Sequence, residues 1–130
     1  MLKQMFFLFN HRPTPEQMTD AESSFKIQQV VNLPADLKIR WSQIPADAPA
    51  IAPFLAPFKD WLCDSAHAGD LVVIQGDPGA TYLMVHFAME LGLIPVYATT
   101  ERKALEEALP DGSIRLVHHF IHRRFRKYGE

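Results

Sequence analysis

Four short clusters hold the residues that could do chemistry. Gln75-Gly76-Asp77-Pro78-Gly79-Ala80-Thr81 follows an apolar run and opens a helical period. A loop placed there offers free backbone N–H groups and the positive end of a helix dipole. Its two glycines admit a ligand close to the backbone, and Thr81 adds a hydroxyl. The spacing is neither the dinucleotide fingerprint nor a triphosphate loop, because no Lys-Ser/Thr pair follows. Asp77 as N-cap with Pro78 as first helical residue would equally make a good helix start with no ligand. Both readings stand on spacing alone.

Asn10-His11-Arg12 ends the first apolar run. Histidine titrates near neutrality and can move a proton; Asn and Arg suit ribose or phosphate. Thr99-Thr100-Glu101-Arg102-Lys103 ends the fourth run, and its hydroxyls, guanidinium and ammonium suit a phosphodiester. In isolation each of these two clusters also reads as a solvated loop or edge. The tail His118-His119-Phe120-Ile121-His122-Arg123-Arg124-Phe125-Arg126 is basic and partly aromatic. In regular strand geometry His118, His122, Arg124 and Arg126 share one face, and His119, Arg123 and Lys127 the other. Zinc is disfavoured, since no acid or Cys accompanies these histidines. Such a strand fits a nucleotide or an acidic surface, or an edge guarded by charge. His67 and His86 read as structural, and Cys63, on a helical stripe, as core.

The elements that would position these clusters alternate short apolar runs with helical periods, the pattern of an α/β fold with a mainly parallel sheet flanked by helices. Met5–Phe9 reads as a strand buried on both faces. Thr14, Pro15 and Gln17 open a helix through about Ser23. Phe25–Val31 is the second strand, and residues 35–44 are a short helical or irregular piece. Ile51, Phe54, Leu55, Phe58, Trp61 and Leu62 form a helical stripe broken or restarted at Pro57. Leu71–Ile74 is the third strand. Residues 78–91 form a helix apolar almost all round, hence largely buried, with Gly92 as its left-handed cap. Leu93–Ala98 is the fourth strand. Ala104–Leu109 favours helix by composition, but Leu109-Pro110-Asp111-Gly112-Ser113-Ile114 is a hairpin turn and Ile114–Tyr128 reads as one long strand. A C-terminal β-hairpin is therefore expected on a single domain over 1–130, with an α/β core over 1–99 and the hairpin over 100–130. The polar ends of the parallel strands fall at one sheet edge, where ligands sit in such folds.

Bulk properties narrow the class. The chain has 130 residues, 48% of them hydrophobic and 22% charged, enough for one ordinary core. A net charge of −2 argues against a general nucleic-acid binder, so no DNA partner is expected. Five of the six charged residues from Arg115 onward are Arg or Lys, which concentrates basic character in the tail. One cysteine, Cys63, makes no internal disulfide and fits a reducing cytoplasm. The apolar run Met5–Phe9 is far too short to span a bilayer, so no membrane partner is expected.

Taken together, Met5–Asn10, the Gln75–Tyr82 loop, the run Pro95-Val96-Tyr97-Ala98-Thr99-Thr100-Glu101-Arg102 and the closing basic hairpin resemble the small stand-alone CRISPR-associated proteins of type III systems with a minimal CARF-like, Rossmann-like fold. The resemblance covers nearly the whole chain. It implies a ring nuclease that binds and cleaves a cyclic oligoadenylate second messenger, cyclic tetra-adenylate first, and so switches off type III signalling. It further implies a homodimer, because a two-fold cyclic RNA would lie across two copies of one sheet edge. The implied phosphodiesterase chemistry needs no metal or cofactor. The ribose 2′-hydroxyl attacks the adjacent phosphorus in line and leaves a 2′,3′-cyclic phosphate. His11 and Arg102 would be the catalytic residues, for proton transfer and phosphate stabilisation, with Lys103 assisting. Asn10, Gln75, Gly76, Asp77, Gly79, Ala80, Thr81, Thr99 and Thr100 would hold phosphate or ribose. A non-catalytic cyclic-oligoadenylate binder would use the same residues, whereas a protein or RNA interaction module would use the basic tail strand and leave the loops merely structural.

Overall fold

A computed structural model describes residues 2–130. In chain order it contains β1 (Gln4–Leu8), α1 (Pro15–Phe25), β2 (Gln29–Asn32), α2 (Ala35–Ser42), a 3-10 turn (Ala52–Leu55), α3 (Ala56–Ser65), β3 (Leu71–Ile74), α4 (Pro78–Glu90), β4 (Ile94–Ala108) and β5 (Ile114–Lys127). Local chemistry explains most boundaries. The Thr14 hydroxyl accepts from the Gln17 amide at 3.1 Å while the Gln17 side chain accepts from the Thr14 amide at 3.0 Å, a closed capping box at the start of α1. Pro53 and Pro57 each sit in a first helical turn, where a missing N–H costs nothing, so the apolar stripe is two segments. Gly92, at φ 76°, takes the left-handed conformation that ends α4.

The sheet order is β2-β1-β3-β4-β5; β2, β1, β3 and β4 are parallel and β5 is antiparallel to β4. Phe6, Leu8, Val72 and Ile74 pack under α2, α3 and α4 with Trp41, Phe58, Leu62 and Met84. Met5, Phe7, Phe9, Leu71, Val73 and Val96 pack on the other face with Ala21, Ile27 and Phe125, beneath α1. Burial on both faces is why these strands show no alternation. Three expectations are corrected. Helix α4 is not largely buried, since Tyr82, Leu83 and Met89 are exposed. Cys63 is exposed rather than core. The second strand begins later than expected, because Lys26 turns left-handed at φ 58° and closes α1 first.

Residues 101–108 are strand. Pairing runs from Val96↔Lys127 to Ala108↔Ile114, so the helical preference of Ala104–Leu109 loses to a continuous ladder. The turn is closed by Leu109 N–H to Ser113 carbonyl at 2.9 Å, and Asp111 Oδ1 accepts from the Ser113 amide at 2.9 Å. Beyond Thr100 and His122 the two strands leave the sheet as an exposed arm.

A bulge changes the faces of this arm. Thr99 pairs with Arg124 and Thr100 with His122, which leaves Arg123 extra. Alternation therefore slips by one: His122 and Phe125 stack together, rings 4.8 Å apart, on the α1 face. His122 does not share a face with Arg124 and Arg126, as regular spacing had implied. Its side chain is 6% exposed, and Nε2 lies 2.8 Å from Asp20 Oδ2 of α1. Ser24 Oγ donates to the other Asp20 oxygen at 2.6 Å. Burial alone would raise the Asp20 carboxyl, but the bonds from Ser24 and His122 and the charge of His122 bring it below its ordinary value.

A carboxylate held below its ordinary range contributes stability that is complete above that range and lost as pH falls through the lowered value, below about pH 4. Asp20→Asn is expected to lower the thermal midpoint at pH 6 by several degrees, on the order of one charge-assisted bond. The gap to the parent should close toward pH 3. Equal midpoints at pH 6 would show that the pair contributes nothing.

Candidate functional site at the carboxyl edge

The carboxyl ends of β1 and β3 lie side by side, with Leu8 in register with Ile74. From there the chain turns to opposite faces, into α1 after β1 and into α4 after β3. Such a divergence opens a crevice at the edge of the sheet, the usual ligand position in open α/β folds. Asn10, His11 and Arg12 follow β1 and Gly76–Gly79 follow β3 at this end of the sheet. All of these are exposed.

Gln75 ties the edge together. Its amide donates to the Leu8 carbonyl at 3.2 Å, and its Oε1 accepts from the Ala98 amide at 3.0 Å. Its carbonyl accepts from the Trp41 indole at 2.9 Å. Gln75 thus links three strands and α2, so its first role is positional.

The loop after it is a capped helix start. Asp77 Oδ2 accepts from the Ala80 amide at 3.0 Å, and the Asp77 carbonyl accepts from the Thr81 amide at 2.8 Å. Among the described residues the amides of Gly76, Asp77 and Gly79 donate to no protein group, so these three are what the edge offers an anion. The two glycines differ. A Cβ on Gly76 would stand 2.6 Å from the Trp41 indole nitrogen, so packing alone explains this glycine. A Cβ on Gly79 would meet only Asp77 Oδ2 at 3.5 Å and Ile51 Cδ1 at 3.6 Å, ordinary contacts that do not require glycine. Ala80 is fully buried. The Thr81 hydroxyl is buried without a partner; its residue lines a groove along α4 rather than the crevice.

The His11 ring stands edge-on to Phe9 at 5.7 Å. His11 and Arg12 also line a cleft of about 150 Å³ between the ends of β1 and β2, with Pro13, Asn32 and Lys38. Asn32 and Lys38 escape sequence reasoning. The one hint is that Asn32 ends β2 as Asn10 follows β1. Thr99 Oγ1 shares the bulge with Arg124, donating to its carbonyl and accepting from its amide at 3.2 Å. Thr100 is exposed at the root of the arm. Arg102 and Lys103 are not brought to the loop within one chain. Arg102 lies four residues past Ala98, about 13 Å along the strand. There its Nε donates to His118 Nδ1 at 3.2 Å. At the base of β5, Arg126 donates to Tyr97 Oη at 3.0 Å. Tyr128 donates to the Ile74 carbonyl, and burial, then neighbouring Tyr97, holds its phenol above its ordinary value. Among the described residues no three His, Cys, Asp or Glu side chains come together to hold a metal ion.

The two glycines predict an asymmetry in urea unfolding. Gly76→Ala should cost on the order of 1–3 kcal/mol through collision with Trp41. Gly79→Ala should stay within about 1 kcal/mol of the parent, since alanine is the better helix former. The reverse order would refute the packing account.

The sequence matches the model of the uncharacterized protein MJ1673 family over residues 3–126. It is 44% identical over 128 residues to the uncharacterized protein MJ1673 of Methanocaldococcus jannaschii, an alignment covering 98% of each chain. No solved structure matches. An alignment of that length and identity carries the whole sheet, the carboxyl edge and the arm, and the chain therefore belongs to the MJ1673 family.

Proposed function

We propose that the protein binds a cyclic oligoadenylate, cyclic tetra-adenylate first, at the carboxyl edge of its sheet and cleaves it as a metal-independent ring nuclease of the CARF-like type associated with type III CRISPR systems. The observation that carries this reading is the divergence of β1 and β3. His11 and Arg12 follow β1 and the free Gly76, Asp77 and Gly79 amides follow the neighbouring β3, and the switch point between two such strands suits a phosphodiester. The reaction asks little of the protein. The ribose supplies its own nucleophile, and the chain must hold the 2′-oxygen in line with phosphorus and offset the charge of the phosphorane. His11 takes the proton from the 2′-hydroxyl; as the P–O2′ bond forms the P–O5′ bond breaks, and the departing 5′-oxygen takes a proton from water to leave as a 5′-hydroxyl beside the 2′,3′-cyclic phosphate. The loop amides and Arg12 hold the phosphate, and Arg102 stabilises the transition state. Among the described residues none hydrogen-bonds the His11 ring to orient it for proton transfer, which favours a second reading: a protein that sequesters the same ligand without cutting it.

Incubation with labelled cyclic tetra-adenylate in EDTA, followed by native gel and denaturing chromatography, separates the readings. Linear di-adenylate products support the nuclease; a shifted band with intact ring supports the binder. Neither shift nor product would dismiss both. His11→Ala and Arg102→Ala are each expected to slow cleavage at least about tenfold, the scale of one lost proton-transfer or charge-assisted group. Parental rates in either variant would remove that residue from the mechanism.

A further inference from the structure

The arm is too exposed to be explained by one copy. Past Thr100 and His122 it is a two-stranded ribbon with neither sheet nor helix on its faces, an arrangement of marginal stability by itself. Cross-strand pairing puts Arg102, Ala104, Glu106 and Ala108 on one face with Phe120, His118, Leu116 and Ile114. On that face Phe120 is 69% exposed, Leu116 59% and Ile114 66%. The row continues outward from the buried His122 and Phe125, so core-type packing stops only because α1 ends.

A second uncovered surface lies on α4. Pro78, Tyr82, Val85, His86 and Met89 recur at helical spacing and, with Thr81, Tyr128 and Gly129, line a groove of about 470 Å³ that contains no Asp, Glu, Lys or Arg. Tyr82 is 56% exposed and Met89 46%.

We infer that the β4–β5 arm of one copy embraces a second copy of this chain, seating Phe120, Leu116 and Ile114 along the partner's α4 groove and bringing Arg102 to the partner's carboxyl edge. Three observations select a second copy as the occupant. The lengths agree: Phe120 to Ile114 spans about 20 Å of strand, and Pro78 to Met89 about 17 Å of helix. The directions agree as well. Both the arm and α4 start at the carboxyl edge, so a two-fold axis that sets the two edges face to face lays each arm alongside the other copy's α4. The area suffices. Eight residue pairs make a ribbon face about 26 Å by 10 Å, roughly 260 Å². Each copy contributes one arm and one groove, which with the facing edges approaches the roughly 800 Å² per partner of a stable interface.

The register gives the embrace a chemical consequence. Arg102 pairs with Phe120, so seating Phe120 on the first turn of α4 places that guanidinium beside the partner's Gly76–Gly79 amides. The site lacks Arg102 within one chain and acquires it from the second. The dimer does not depend on the proposed function; the role of Arg102 rests on it.

Light scattering on the ligand-free protein at about 50 μM, well above the micromolar dissociation constants of weak pairs, tests the embrace. The parent should run as a dimer, and Leu116→Asp with Phe120→Asp as a monomer with unchanged circular dichroism. In a Cys63→Ser background, Tyr82→Cys combined with Phe120→Cys should oxidise to a covalent dimer, whereas either cysteine alone should not. A monomeric parent, a dimer that survives the arm substitutions, or a pair that fails to cross-link would overturn the inference. Where the parent cleaves cyclic tetra-adenylate, mixing Arg102→Ala with His11→Ala protein should restore about a quarter of parental activity, since half the dimers are mixed and each has one whole site. No restoration would show that Arg102 acts within its own chain. A parent that is dimeric but inert toward the ring would refute the nuclease and leave the embrace standing.

Discussion

Everything at the carboxyl edge hangs on Gln75. One residue donates to β1, accepts from β4 through its side chain, and accepts from the Trp41 indole of α2 through its carbonyl. The Trp41 ring then occupies the space where Gly76 lacks a side chain. The position of the next helix, and of the three free amides at its start, follows from that contact. A side chain at Gly76 or a shorter residue at 75 would move the wall of the site before it touched any ligand.

The parallel core was legible because strands buried on two faces announce themselves. Met5–Phe9 and Leu71–Ile74 carry no polar residue, and Thr14-Pro15-Gln17 and Asp77-Pro78 mark helix starts by the bonds they make. What sequence could not show depends on tertiary geometry. Strict alternation grouped His122 with Arg124 and Arg126, and only the extra residue Arg123 in the ladder turns His122 inward to Asp20. The apolar character of α4 suggested burial, because composition records no neighbour. The same holds for Cys63, whose place on a stripe did not decide its exposure. In the site, Asn10, His11 and the glycine loop follow neighbouring parallel strands, but the cleft that His11 lines is shared with Asn32 and Lys38. Arg102, two residues past Thr100, is carried away because a strand moves its residues outward by more than 3 Å each.

The arm and the groove are two halves of one problem. A chain of this size covers a five-stranded sheet only partly, and α1 reaches the hairpin no further than His122. The surfaces left over are neighbours of the carboxyl edge rather than remote from it. The proposed assembly and the proposed ligand binding would therefore draw on adjoining residues, with the root of the arm at Thr99 and Thr100 common to both.

The Asp77 cap has a consequence for which anions can use the crevice. Most helix starts that face a ligand present bare donors; here a fixed carboxylate already answers the dipole at Ala80. An arriving group meets one negative charge within a few ångströms, at a cost that grows with its own charge. A diester, with a single charge spread over two oxygens, tolerates that neighbour. A terminal monophosphate, doubly charged near neutral pH, is repelled about twice as strongly. Under the proposed function the edge would thus act as a charge filter, open to an unbroken sugar–phosphate chain and unfavourable to its phosphorylated ends.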